Sequence, residues 1–423
     1  MRSRGARERI AVLDDDGLGL SLDAPRPSLH LGRFGVAPQQ DDGVAIARVQ
    51  IAGASVLVAA QDERFLGGSV GANHADALRA LLERAIDERP AAVVLLTASG
   101  GVRLHEANAA EAALARALRA LYDARAAGVP ILAIVVGDVF GGASIVACAA
   151  DRVAMLSSAR IGLSGPRVIE SVHGKWELDA DRAADVDSVF GANARAALGA
   201  VDLIADDTDA IRAWIRVAAA NTLPFTDGVE RTHAALGAAL TTLPVQIVEL
   251  RRRENFIETA APRNAAFSAA FAHRLDSAML AHVIDTAESH ETIVIVEDST
   301  GHEVSRAAEM CFISRHLAHH AAVLALLRSR GHRLIGWLAG TGHSAAFFVN
   351  ALQADTLYAA PRSRVVAMEP SAIARVIGHD VATLIEDDPL LGQPVRHFAA
   401  LGGVEAIVET EEFLRRVSAA AQR

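Results

Sequence analysis

Short apolar runs alternate along this chain with longer stretches in which apolar residues recur every three or four positions, and the alternation occurs twice. In the first copy Val93-Val94-Leu95-Leu96 runs into Ser99-Gly100-Gly101. Leu114, Leu118 and Leu121 then keep helical spacing between Leu104 and Ala127, and Gly128 and Pro130 supply the stop. A second apolar run, Ile131 to Val136, meets Gly137 and Gly141-Gly142. In the second copy Ile293-Val294-Ile295-Val296 meets Ser299-Thr300-Gly301, a helical stretch over Ala307 to Leu327 closes at Gly331, and Leu334 to Ala339 meets Gly340, Gly342 and Ser344-Ala345-Ala346.

The spacing between the copies hardly drifts. Gly101 and Gly301 lie 200 positions apart, Gly128 and Gly331 203, Gly137 and Gly340 203, and Asp151 and Asp355 204. Asp151-Arg152-Val153 and Asp355-Thr356-Leu357 each open a short strand, and Pro166 and Pro370 are again 204 apart. A duplication at the scale of a domain follows. Buried strands that alternate with helices predict an α/β fold with a largely parallel sheet in each half. The expected organisation is an arm over residues 1–40, a first domain over 41–250 and a second over 251–423. The arm carries a short helix, Ala6 to Leu13, before the Asp14-Asp15-Asp16-Gly17 run and a connector around Pro25 and Pro27. Val49, Ile51, Val56 and Val58 alternate as a strand pair turning at Ala52-Gly53. Residues 205–272 read as a mostly helical connection, with breaks at Leu223-Pro224 and Leu243-Pro244 and a basic run at Arg251-Arg252-Arg253.

Composition then narrows the function. The chain has 423 residues, of which 51% are hydrophobic, enough for two cores. A net charge of −10 argues against broad nucleic-acid binding. No apolar run approaches the ~18 residues of a membrane helix, and Met1-Arg2-Ser3-Arg4 is not followed by a signal-peptide core, so a cytoplasmic location without membrane attachment is expected. Cys148 and Cys311 read as buried thiols of a reducing compartment. Lys175 is the one lysine, and Trp176 follows it, which excludes a phosphate-binding Gly-Lys-Ser/Thr loop and leaves a Schiff-base enzyme a single candidate.

The candidate chemistry sits in the glycine turns. A strand that ends in glycines and feeds a helix presents backbone N–H groups where the helix dipole also favours negative charge. Gly100-Gly101 and Gly141-Gly142 would give one domain two such donor sets, and glycine lets a ligand approach without a Cβ in the way. Tight turning alone also explains these residues. Arg103, His105 and Glu106 open the following helix as caps, ion pairs or substrate contacts, and Arg167 with Glu170 is a structural pair or a contact for a thioester arm. His316, His319 and His320 share a helix face at chelating spacing, but no carboxylate or cysteine lies at matching spacing, so a structural or exposed role and no metal is expected. Trp176, Trp214 and Trp337 read as core.

Three runs carry a resemblance. Ser99-Gly100-Gly101-Val102-Arg103-Leu104-His105-Glu106, Phe140-Gly141-Gly142-Ala143-Ser144 and Ile161-Gly162-Leu163-Ser164-Gly165-Pro166-Arg167-Val168-Ile169-Glu170 resemble the successive β-type motifs of the carboxyltransferase family. Ala6-Arg7-Glu8-Arg9-Ile10 is similar to the family's opening helix. Asp298-Ser299-Thr300-Gly301 and Gly331-His332-Arg333-Leu334-Ile335-Gly336 resemble its γ- or α-type domain. Within the family the best resemblance is to the biotin-independent malonate decarboxylases, with β and γ subunits fused. It covers most of residues 5–200 and 290–408, with two departures: Thr300 stands where the family has proline, and Ser344-Ala345-Ala346 where it has Gly-Gly-Ala.

The resemblance implies two tandem crotonase-like carboxyltransferase domains of the ββα-superhelix type. It implies decarboxylation of a malonyl thioester carried on the prosthetic-group arm of an acyl carrier protein, with the carrier and an acyl-carrier transferase subunit as partners and room for a homo-oligomer. No cofactor bound by this chain is expected, because backbone donors stabilise the enolate. On this reading the reacting groups are Gly100, Gly101, Gly141, Gly142, Ser144, Gly301 and His302, with His105 a further proton donor. The substrate contacts are Arg103, Ser164, Gly165, Arg167, Ser344, Ala345 and Ala346. Three rivals remain: the carboxyltransferase component of a biotin-dependent acyl-CoA carboxylase, a crotonase-type hydratase or isomerase using Glu106, and a non-catalytic scaffold.

Overall fold

A computed structural model describes the chain except residues 17–19, 23–25, 241–249, 260–264, 286–289, 383 and 423. Leu243-Pro244 and Pro25 lie outside the described residues. The chain divides into two compact units: residues 1–103, 116–228 and 304–315 form the first, and residues 104–115, 229–303 and 316–423 the second.

In the first unit an eight-stranded sheet is built on Val44–Ile51, Ala54–Gln61, Ala92–Ser99, Ile131–Val139, Arg152–Leu156 and Asp202–Ile204, in that order. The Val44–Ile51 and Ala54–Gln61 strands are antiparallel and turn at Ala52 and Gly53, both left-handed (φ +52° and +75°). From Ala54–Gln61 onward the neighbours are parallel. Every residue of Ala92–Ser99 is buried, the signature of a strand covered on both faces. Helix Ala6–Leu13 docks through the fully buried Arg9, which donates to the Gln61 carbonyl (2.6 Å) and pairs with Glu63 (3.3 Å). The arm therefore belongs to the first unit's sheet.

The second unit repeats the order. Its six-stranded sheet runs Leu250–Arg252, Ile257–Thr259, Thr292–Glu297, Arg333–Leu338, Thr356–Ala359 and Ala406–Ile407, antiparallel only at the first pair. Arg251 and Arg252, read from sequence as part of a helical connection, are edge-strand residues paired with Glu258 and Ile257. The β-branched Ile257 and Thr259 bury one face of that pair, which fixes it as a strand.

Matched residues close matched turns. Gly128 and Gly331 (φ +82° and +88°) end their helices with the same pair of bonds, Gly128 N–H to Arg125 and Val129 N–H to Ala124, against Gly331 N–H to Arg328 and His332 N–H to Leu327. Asp151 takes the Ile131 N–H on its carboxylate (2.8 Å) and returns its own N–H to the Ile131 carbonyl (2.8 Å). Asp355 does the same with Leu334, at 2.9 and 2.8 Å. Pro166 and Pro370 each open an eight-residue helix, Pro166–His173 and Pro370–Ile377, where the missing N–H costs nothing.

Three expectations change. The helix expected over Ala307–Leu327 is two, Arg306–Met310 and Ile313–Ser329, because Phe312 turns left-handed at φ +58°. Trp176 is 83% exposed, not core. Trp214 is half-buried, its indole N–H on Asp202 (3.0 Å), whereas Trp337 is core and stacks on Phe413 at 4.2 Å. Among the described residues no helix is long and apolar enough to cross a membrane.

Candidate active site

In the first unit the two glycine turns lie against each other. A Cβ on Gly101 (φ +103°) would sit 3.1 Å from the Phe140 carbonyl oxygen and 3.2 Å from the Gly141 Cα, and one on Gly141 (φ +60°) would sit 3.2 Å from the Gly101 Cα. Both the space and the positive φ therefore demand glycine. The Phe140 N–H closes the pair on the Ser99 carbonyl (2.8 Å).

Of the four glycines the sequence pointed to as donors, three have their N–H groups taken. Gly100 N–H is spent on the Gly67 carbonyl (2.9 Å), Gly101 N–H on Ser99 Oγ (3.2 Å) and Gly141 N–H on the Leu163 carbonyl (2.9 Å). These three glycines shape the turn instead of offering its N–H groups. Helix Gly142–Cys148 begins at the next residue, so the N–H groups of Gly142 and Ala143 have no intrahelical acceptor, and none among the described residues elsewhere. Gly142 is half-buried at this turn. Ala143 is buried, and two adjacent N–H groups without an acceptor beside a bare glycine surface can hold a developing oxyanion.

A buried carboxylate braces this turn from behind. Glu309 accepts the Leu163 N–H (3.0 Å) and the Ser164 N–H (2.6 Å), and the Leu163 carbonyl in turn takes Gly141 N–H. Arg195 holds Glu309 through its backbone carbonyl (2.5 Å) and its carboxylate (3.4 Å), and also donates to the Ile161 carbonyl (2.9 Å). Both side chains are 1% exposed. Burial pushes the Glu309 carboxyl up to about 7, against the pull of Arg195 and the two N–H donors. Sequence reading missed both residues; the available signal was a lone acid, Glu309, in an otherwise apolar stretch ending Met310-Cys311.

The other sequence candidates scatter. Arg103 is fully buried and bound to Asp42 (2.5 Å) and to the Asp42 and Ser69 carbonyls (3.1 and 3.0 Å), so it anchors a loop and is not a substrate contact. Ser144 Oγ is fully buried between the Gly141 carbonyl (2.7 Å) and Ser314 Oγ (2.8 Å), which makes it a brace of the turn and not an open proton donor. His105 and Glu106 are buried, at 5% and 1% exposure. Ser164 lies behind the turn on Glu309, and Gly165 caps helix Pro166–His173. Arg167 is exposed and paired with Asp181 (2.5 Å) and Glu170 (3.8 Å).

The second unit keeps the backbone and changes the side chains. Gly301 (φ +94°) matches Gly101, down to its carbonyl accepting the Phe267 N–H (2.7 Å) as Gly101 accepts the Val70 N–H (2.8 Å). Ser344 (φ +49°) matches Gly141, so the left-handed turn survives without glycine, and Ala345 and Ala346 follow it into helix Ser344–Val349. His343 packs where a Gly301 Cβ would be, at 3.3 Å, and its ring lies 3.8 Å from Glu369. Burial, and secondarily the nearby His343, pushes His302 down to about 4, so its imidazole is neutral at pH 7.

A buried polar chain runs up to this second turn. Asp276 meets His320 Nδ1 (2.7 Å), His320 Nε2 meets Asn350 (3.2 Å), Asn350 donates to Glu297 (2.7 Å), and Ser299 donates to the other Glu297 oxygen (2.6 Å). Burial pushes Glu297 up to about 7 and Glu111, through burial and then the charge of Glu297, up to about 8. The histidines expected to be merely structural or exposed are thus buried, and His320 is a link in this chain.

Known proteins resemble both halves. Residues 4–237 match the carboxyl transferase domain family and residues 271–422 match MdcE, the malonate decarboxylase gamma subunit. The chain is 34% identical over 222 residues to the Malonyl-S-ACP:biotin-protein carboxyltransferase MADC of Malonomonas rubra, covering 48% of this chain and 70% of that protein. It is 33% identical to the acetyl-coenzyme A carboxylase carboxyl transferase subunit beta of Fusobacterium nucleatum, over 39% of this chain and 58% of that one. A Pseudomonas malonate decarboxylase hetero-tetramer, crystallised with malonate, superposes with a TM-score of 0.53 at 33% identity, over 58% of this chain and 93% of the matched chain. With the carboxyl transferase match spanning more than half of its length, the chain belongs to the carboxyl transferase family, and its C-terminal part carries the malonate decarboxylase gamma domain.

Proposed function

We propose that this protein decarboxylates a malonyl thioester, delivered on the prosthetic-group arm of an acyl carrier protein, to an acetyl thioester and carbon dioxide. The observation that carries the reading is the pair of unspent N–H groups, Gly142 and Ala143, at the foot of two abutting glycine turns. When the bond between Cα and the free carboxylate breaks, its electron pair moves onto Cα and delocalises to the thioester oxygen as an enolate. That oxygen gains charge only as carbon dioxide leaves, so donors fixed at its position lower the barrier more than they stabilise the bound substrate. A proton delivered to Cα then completes the acetyl thioester. Gly101 and Gly141 keep the surface bare, and Glu309 with Arg195 holds the turn at the right spacing. The matching family and the malonyl-S-ACP for which the Malonomonas rubra relative is named support the malonyl thioester; an acyl-carrier transferase subunit would load the carrier.

One observation favours a second reading. The relative from Malonomonas rubra is named for carboxyl transfer to a biotin protein, in which the same enolate forms but the carboxyl group passes to biotin. Purified protein incubated with malonyl-carrier, without biotin protein, separates the two by mass spectrometry of the carrier and by released carbon dioxide. Turnover that Gly142→Pro removes supports the decarboxylase. Carboxyl transfer only once a biotin protein is added overturns it in favour of the transferase.

A further inference from the structure

In the second unit three helices bring their imidazoles and a carboxylate to one point: Phe225–Ala239 carries His233, Ala269–Asp285 carries His273 and Asp276, and Ile313–Ser329 carries His319. His233 Nδ1 lies 3.2 Å from His319 Nε2, and that nitrogen lies 3.9 Å from Asp276 Oδ2. One ligand atom from each of His233, Asp276 and His319 falls within 4.8 Å of the others.

The hydrogen bonding turns a lone pair of His233 and an unmet oxygen of Asp276 toward this point. Ser277 donates its one hydroxyl hydrogen to the His273 carbonyl (2.8 Å), so at 3.0 Å it can only accept from His233 Nε2. The proton of neutral His233 is thereby fixed on Nε2, and its Nδ1 points a lone pair at His319. Asp276 uses Oδ1 for His320 (2.7 Å), while its Oδ2 is buried without a hydrogen-bond partner, in a side chain 1% exposed. A hydrogen bond from His319 to His233 would satisfy the two rings and still leave Oδ2 unmet at 3.9 Å. Buried carboxylate oxygens are seldom left so.

We propose that His233, Asp276 and His319 form a divalent transition-metal site of the two-imidazole, one-carboxylate class, with zinc the best fit and water at the fourth position. Bonds of ~2.0–2.1 Å in a tetrahedron put neighbouring donor atoms ~3.3 Å apart. The His233–His319 separation already matches, Asp276 Oδ2 needs to close on His319 by about half an ångström, and its distance to the His233 ligand atom is within 4.8 Å. The supporting shell is present: Ser277 orients His233, His320 orients Asp276, and the His273 ring stacks on His233 at 4.2 Å. Gly237 admits that ring, since a Cβ there would fall 2.8 Å from His273 Nε2. Burial holds His233 and His319 below the ordinary histidine range, which keeps them neutral and ready to bind. His233 is half-buried and gives the ion its way in. The carboxylate that the sequence of the histidine helix lacked is supplied from a different helix, and through His320 the site shares Asp276 with the chain leading to Ser299.

The test uses the untagged full-length protein, stripped with a chelator and titrated with Zn²⁺ and with Co²⁺. Expected are one equivalent bound by elemental analysis, the intense visible absorption of tetrahedral Co²⁺, and a Tm that rises with Zn²⁺ concentration. His233→Ala, at a half-buried position whose loss leaves the fold intact by its unchanged circular dichroism, should weaken Zn²⁺ binding more than ~100-fold and abolish the Co²⁺ band. His319→Gln should do the same. Zn²⁺ affinity unchanged in both variants, or no stoichiometric binding by the parent protein, overturns the site and leaves a plain His319–His233 hydrogen bond.

Discussion

At Gly141 the first unit turns left-handed at φ +60°, and 203 residues later Ser344 turns at φ +49° into the equivalent helix. Behind Gly141 stand Glu309 and Arg195, clasped to Leu163 and Ser164; beside Ser344 stand His343, Gly301 and neutral His302. Backbone bonds at Gly101 and Gly301, at Asp151 and Asp355, and at Gly128 and Gly331 coincide, while the side chains around the turns share almost nothing. The comparison teaches that a turn is preserved by its backbone partners, and that its chemistry is set by whatever packs behind it.

The sharpest way to break the comparison is to remove one N–H from each copy. Proline at the first helical position forfeits no intrahelical bond while it removes the N–H. Gly142→Pro should therefore lower kcat ~10²–10³-fold, or about 3–4 kcal/mol in the barrier, with KM nearly unchanged. Ala345→Pro should cost far less, because its residue is buried while Gly142 is half-buried at the turn. Equal losses in the two variants, read by steady-state kinetics, would make the second turn an equal partner in catalysis.

The clasp comes next. Glu309→Ala leaves the buried Arg195 without its carboxylate and frees Leu163 and Ser164, and should destabilise the first unit by about 3–5 kcal/mol in urea unfolding. Glu309→Gln, which keeps the shape and one acceptor, should lose less stability but still lower kcat through a looser Gly141.

The second unit's acids give it a pH dependence of its own. Glu111 has a folded value of about 8 against 4.5 when exposed. Native protein therefore holds an extra proton between those values, so stability falls as pH rises through the window; the penalty of the buried charge is absent below 4.5 and complete above 8. Glu111→Gln should flatten that part of the Tm–pH curve and raise Tm at the alkaline end. An unchanged slope would mean that Glu111 ionises normally.

The smallest effect belongs to the turn residues themselves. Ser344→Gly relieves a left-handed non-glycine residue, ~1–2 kcal/mol, and adds ~0.5–1 kcal/mol of unfolded-state entropy, for a net gain near 1 kcal/mol. The reverse change, Gly141→Ser, meets the Gly101 Cα at 3.2 Å and should destabilise. Thermal unfolding of the pair measures how far the copies have parted.

Much of this was written in the order of residues. Period and punctuation gave helix Ala6–Leu13 to its ends and both strand–turn–helix copies, because those signals act within a few residues of where they stand. Glycine positions located both turns for the same reason. The break at Phe312 escaped, since nothing in the local pattern demands a left-handed phenylalanine. So did Trp176, whose size suggested core and whose surroundings left it in solvent.

What a sequence cannot carry is the partner of a group far away along the chain. Which N–H groups are spent was decided by Gly67 and Leu163; which acid braces the turn, by Glu309 reaching Leu163 from 146 positions on. Asp276 meets His319 and His320 by packing of two helices, not by any spacing within one. The sequence by itself determined a doubled α/β plan and the two places where backbone is bare. Tertiary structure alone decided which atoms there remain open, because hydrogen-bond satisfaction and burial are properties of neighbours in space.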